Sequence, residues 1–110
     1  MLELFSGDDW DIIFNLQKDG VAFDASTATE IKAAIVDSDG AAPSTIISEV
    51  VLDSGATGAN WSSGILIIEI PNASTNVSAQ RAYVEVQVTI GGKKQTWPRR
   101  PFDIKTGTIA

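Results

Sequence analysis

Hydrophobic and polar residues alternate along much of this chain with a period of two. Trp10, Ile12, Phe14 and Leu16 are apolar, while Asp11, Asn15 and Gln17 between them are polar. A strand buried on one face produces this pattern, because successive side chains point to opposite sides of a sheet. Ile13 breaks the alternation. The cleanest example comes late. Ala82, Val84, Val86, Val88 and Ile90 form one side, and Arg81, Tyr83, Glu85, Gln87 and Thr89 form the other. Ile31, Ala33 and Ile35 alternate with Lys32 and Ala34. A helix here would be about two turns long and would run into the turn residues Asp37-Ser38-Asp39-Gly40, so a strand is predicted over residues 30–37. Further strands are predicted at Ile46–Leu52, at Ile65–Ile70 up to Pro71, and around Phe102 and Ile104. Residues 65–70 are apolar on nearly both faces, which predicts a central strand or one lying beneath a neighbouring copy.

The connections carry recognisable turn chemistry. Asp19-Gly20 and Gly91-Gly92 supply the positive φ angles of tight hairpins. Residues 53–60 are a loop of small side chains, with Trp61 either its anchor or the start of the next strand. Residues 72–80 suit one short helical turn crossing between sheets. Pro98 and Pro101 flank Arg99-Arg100, which fits an edge kink and not a central strand. Short strands separated by turn signals every 8–12 residues or so define a sandwich or small barrel. The expectation is an all-β, immunoglobulin-like antiparallel β-sandwich of about seven to nine short strands, forming a single domain over residues 1–110.

Composition narrows the chemistry. With 44% hydrophobic and 20% charged residues the chain is an ordinary globular sequence, not a disordered one. It has no cysteine and no histidine. That excludes disulfides, thiolate metal sites, a cysteine nucleophile and the usual general base near neutral pH. Met1–Asp9 has neither a basic nor an apolar region of signal-peptide type, and the apolar runs are too short to span a bilayer, so neither feature is expected. The net charge of −6 is unevenly spread. Residues 1–55 hold eleven acids and two bases; residues 56–110 hold three acids and six bases. Five bases, Lys93, Lys94, Arg99, Arg100 and Lys105, fall in the last 20 residues. Either they are solvated charges on a strand pair, or they form a basic face for an acidic partner or for the acidic half of another copy. Nucleic acid is a poor partner for so acidic a domain.

Other candidates dissolve on inspection. Asp8, Asp9 and Asp11 are acidic neighbours, but adjacent strand residues point apart and do not easily share an ion. Asp37-Ser38-Asp39-Gly40 lacks the glycine and glutamate placement of a calcium loop and reads as a plain turn. Asn60, Asn72 and Asn76 begin sequon triplets, which chance explains in a chain rich in serine and asparagine. No Gly-x-Ser-x-Gly elbow is present, and Glu69 and Glu85 fall on polar strand faces. No enzyme, metal, cofactor or small-molecule substrate is therefore expected. Trp10 is in phase with a core face. Trp97, next to Pro98 and Arg99-Arg100, is either a cap on the end of the sandwich or an exposed anchor of the kind found at interface hot spots. The candidate interface set is Lys93, Lys94, Trp97, Arg99 and Arg100.

Three stretches resemble a known group. They are residues 7–16 (Gly-Asp-Asp-Trp-Asp-Ile-Ile-Phe-Asn-Leu), residues 18–26 with 31–37, and residues 83–93 running through Thr96 to Phe102–Lys105. Together they are similar to the small Ig-like domains of tailed-phage virion proteins, with the N-terminal domain of phage baseplate upper proteins the nearest family. The resemblance implies a virion structural protein made in the host cytoplasm. It would be a baseplate or tail-fibre accessory, or alternatively a capsid decoration protein. It would dock on other virion proteins or on further copies of itself, without cofactor, membrane or nucleic acid. A carbohydrate-binding or adhesion module is the alternative from another class, since sandwiches bind glycans through exposed Trp and Tyr.

Overall fold

In a computed structural model, residues 1–107 are described. Among them are ten strands and two single 3-10 turns. The strands are β1 (Glu3–Phe5), β2 (Trp10–Asn15), β3 (Gln17–Lys18), β4 (Val21–Ala22), β5 (Glu30–Val36), β6 (Thr45–Val51), β7 (Ile65–Ile70), β8 (Gln80–Ile90), β9 (Lys93–Thr96) and β10 (Arg100–Lys105). The 3-10 turns are Trp61–Ser63 and Asn72–Ser74. No described helix is long and apolar enough to cross a membrane.

The larger sheet runs in the order β1-β10-β8-β5-β6, with β9 also paired to β8. The facing layer is the antiparallel pair β2–β7, and β3–β4 form a small hairpin. Strand order and layering are those of an immunoglobulin-like sandwich, in which the long late strand β8 lies between β5 on one side and β9 and β10 on the other. The sandwich is not wholly antiparallel, because β1 lies parallel to β10, with Leu4 opposite Ile104. Three residues are too few to show a period, so this strand left no readable pattern.

Periodicity becomes a core in the way the alternation requires. In β2, Trp10, Ile12 and Phe14 are buried and Asp11, Ile13 and Asn15 exposed. In β8, Ala82, Val84, Val86 and Val88 are buried. They form one core with Leu66, Ile68 and Ile70 of β7, beside β2 in its sheet, and with Phe102 and Ile104 of β10, beside β8 in the other. Trp10 meets Phe102 edge-on at 5.8 Å between ring centroids, and its indole N–H donates to the Phe5 carbonyl oxygen at 2.8 Å. The buried indole therefore keeps a hydrogen bond while burying its apolar body.

Turn chemistry holds at both hairpins. Asp19 and Gly20 have φ of 53° and 77°, and Gly91 and Gly92 have 58° and 77°, so each two-residue loop matches the right-handed twist of its strands. Asp37 closes the β5–β6 turn by accepting the Ser44 N–H at 2.8 Å. The Asn72–Ser74 turn carries the chain from the small sheet to the large one. Asp9 accepts the Asn72 N–H at 2.7 Å, and the buried Thr75 hydroxyl donates to the Asp8 carbonyl oxygen at 2.6 Å.

Two placements differ from the sequence expectation. Pro98 does fall in the break between β9 and β10, which both pair with β8, but Pro101 lies within β10 and β10 is not an edge: β8 flanks one side and β1 covers the other over Asp103–Lys105. Pro101 falls before β1 begins, so its missing N–H costs no bond on that side. Of the two expectations for residues 65–70, the central strand is not met: among the described strands β7 pairs only with β2, and a layer covers its inner face alone, so its second apolar face is left outward.

Candidate docking surface

The basic C-terminal residues separate into two groups. Trp97 is only 6% exposed. Its backbone N–H donates to the Val86 carbonyl oxygen at 2.9 Å and its indole N–H to that of Gln17 at 3.2 Å. Its ring meets Phe23 edge-on at 5.0 Å, with the Lys18 ammonium 5.9 Å from its centroid. Trp97 thus caps the end of the sandwich and is not an exposed anchor.

Arg99 and Arg100 point to opposite sides of the strand, as neighbours must. Arg99 bonds Glu85 through Nη2 at 3.0 Å and through Nε at 3.1 Å, and donates from Nη1 to the Gly40 carbonyl oxygen at 2.9 Å. It ties β8 to the β5–β6 turn. Arg100 donates from Nη2 to the Asn15 carbonyl oxygen at 2.8 Å and stands 4.6 Å from the centroid of Phe14. It bridges the two layers. Both guanidiniums are used inside the molecule.

Lys93 and Lys94 remain. Both are exposed at the tip of the β8–β9 hairpin, and neither has an ion-pair partner among the described residues. Lys93 lies directly opposite Ile90, and Lys94 opposite Thr89. Side chains directly opposite share a face, so Ile90 and Lys93 place an apolar and a cationic group side by side.

Other charges are already paired. Lys32 sits between Glu49 at 3.3 Å and Glu30 at 3.5 Å. Its pKa is raised, first by the hydrogen bond to Glu49 and then by the charge of Glu30. Asp103 bonds Arg81 across β8–β10, which holds its carboxyl below the ordinary carboxylate value.

A second surface lies outside the candidate interface set, on the strand for which a place beneath a neighbouring copy is one of two expectations. The outward face of β2–β7 carries three opposed pairs: Asp11 with Glu69, Ile13 with Ile67, and Asn15 with Ile65. Ile13 is 65% exposed, and the Gly58 loop leans over Ile67 to form an open groove of about 360 Å³. Neither Asp11 nor Glu69 has an ion-pair partner among the described residues. The available signals were Ile13, which breaks its strand's alternation, and the two-faced apolarity of residues 65–70.

Fold and surface together define an immunoglobulin-like all-β domain whose uncommitted chemistry lies on its outside. No protein-family model matches the chain, and no curated protein matches it.

Proposed function

We propose that this chain is a phage virion structural module, a baseplate or tail-fibre accessory, that works by docking on neighbouring proteins. The observation that carries the docking role is the pairing of a filled core with outward groups the fold leaves unused: the Ile13/Ile67 face and the Lys93–Lys94 tip. Contiguous apolar surface marks an interaction site where single scattered residues do not, and on this face exposed Ile13 and half-buried Ile67 lie side by side. The similarity of residues 7–16, of 18–26 with 31–37, and of 83–93 through Thr96 with 102–105 to Ig-like domains of tailed-phage virion proteins supplies the particle context. A capsid decoration protein is the same chemistry at another position. The carbohydrate-binding alternative lacks the exposed Trp97 on which it leaned.

The test is gold labelling of purified particles with antibody against the recombinant domain, together with peptide mass spectrometry of those particles. Label at the tail tip supports the accessory role, and label over the shell makes the chain a decoration protein. Particles with neither label nor peptide remove the virion reading.

A further inference from the structure

We infer that copies of this chain associate head to tail. The Ile90–Lys93 face of the β8–β9 tip in one copy docks on the Ile13/Ile67 face of the next, with Lys93 reaching its Asp11–Glu69 pair and Lys94, on the other face of the hairpin, adding to the positive field of the tip. The inference deepens the docking reading and rests on it.

The acceptor comes first. Asp11 and Glu69 are directly opposite each other on adjacent antiparallel strands. Like charges in that position destabilise a strand pair. In the isolated domain that repulsion is relieved only by water and salt, and a cation arriving from outside lowers it. Immediately beside the two carboxylates lies the Ile13/Ile67 pair. The acceptor is therefore an apolar step with two negative charges at one end.

The donor has the complementary order. The Gly91–Gly92 turn projects Ile90 and Lys93 on one face, with Lys94 on the other. β9 is exposed along its whole length, and Val88, Ile90 and Gln95 line an open groove beside the lysines. An apolar side chain next to cations is the counterpart of isoleucines next to carboxylates.

The acceptor carboxylates and the donor tip lie toward opposite ends of the sandwich, with the Ile13/Ile67 pair midway along the small sheet. Trp10, next to Asp11, packs on Phe102, which pairs with Ala82 near the start of β8. The other end of the small sheet meets Trp97, whose N–H binds Val86, and β8 runs on past Val86 to Ile90. With donor and acceptor toward opposite ends, one contact leaves both complementary surfaces free at the two outer ends of the pair. Such heterologous contacts repeat into rings or filaments.

A hairpin tip against a face this narrow buries less than the roughly 1,200–2,000 Å² of a stable complex. The association is thus expected to be weak, concentration-dependent and salt-sensitive. Sedimentation velocity over a concentration series, at about 0.05 M and about 0.5 M salt, reads it directly. The wild type should show oligomers larger than a dimer that diminish at high salt. K93E/K94E and D11K/E69K should each weaken association by about tenfold or more, since both place like charges face to face. Mixing the two variants should restore it, because each then offers the other a matching donor and acceptor. All four positions are exposed, and circular dichroism checks that the variants keep the fold. A wild type that stays monomeric throughout, or oligomers that ignore both reversals, overturns the inference. Monomers that nevertheless label particles would overturn it while leaving the virion reading standing. Restored association without particle label would support it and remove only the virion reading.

Discussion

Ile68 and Ile13 lie on opposite faces of the same two strands, and replacing each with alanine should have very different costs. Ile68 is fully buried and opposed to Ile12 on the inner face. Ile13 is 65% exposed and opposed to Ile67 on the outer face. Truncating a buried isoleucine loses its transfer energy and leaves a cavity, for a total of about 2–5 kcal/mol. Domains of this size are stable by roughly 5–15 kcal/mol, so Ile68→Ala removes a large share. With an unfolding entropy of about 2 cal/mol/K per residue, a loss of about 3 kcal/mol lowers Tm by about 13 °C. Ile13→Ala removes atoms that are already largely in water, and its cost should stay within about 0.5 kcal/mol. Urea unfolding followed by tryptophan fluorescence measures both, because Trp10 and Trp97 are buried and report the loss of the core. If Ile13→Ala proved as costly as Ile68→Ala, the inward and outward faces would be wrongly assigned. A one-residue slip would exchange them. The same slip would bury Asp11 and Glu69, so one measurement tests the core and the acceptor face together.

Gly64→Ala should be more costly than Gly20→Ala. Both glycines have positive φ, 74° and 77°, which costs a side chain roughly 1–3 kcal/mol. At Gly64, however, a Cβ would come within 2.6 Å of the Leu16 carbonyl oxygen and 2.8 Å of that of Phe23, whereas at Gly20 it meets nothing within 4 Å. Equal melting temperatures for the two variants would contradict that crowding. The Arg81–Asp103 pair gives a pH dependence of known sign. The folded-state pKa of Asp103 lies below its ordinary 3.8, chiefly through the hydrogen bond from Arg81. Its contribution is therefore fully present above pH 3.8 and lost as pH falls through the lower folded value. Melting curves of wild type and Asp103→Asn from about pH 6 to about pH 2 should converge at the acid end. A constant separation would mean that ionisation of Asp103 contributes nothing.

Local pattern made much of the fold legible. Period-two alternation located β2, β5 and β8, and paired turn residues located the hairpins at Asp19-Gly20 and Gly91-Gly92. Non-local facts left no such trace. β1 is three residues long and exists because β10, about a hundred residues later in the chain, offers it an edge. The basic cluster was legible as composition but not as a surface. Whether Arg99 faces Glu85 or solvent depends on which strand folds beside it, and the structure uses Arg99 and Arg100 within the molecule while leaving Lys93 and Lys94 outside.

Residues 65–70 show how an irregular pattern can point to a surface. A strand that is apolar on both faces is ordinarily central, with a layer on each side. Here the layer that holds it has two strands, against six in the facing sheet. Its inner face is covered by that sheet, and nothing else in the described chain covers the outer one beyond the Gly58 loop over Ile67. Ile13, directly opposite Ile67, breaks the polar phase of its own strand at the same level. Two independent strands thus place isoleucine outward at one position of one face, and each carries an unpaired carboxylate two residues away on that face, Asp11 before Ile13 and Glu69 after Ile67. Folding alone rewards the isoleucines only through strand propensity, their cross-strand contact and the partial cover of Ile67, and it does not reward the opposed carboxylates, which repel. A partner that covers the isoleucines and brings a cation to the carboxylates gives all four residues a role, and the β8–β9 tip of another copy has that composition.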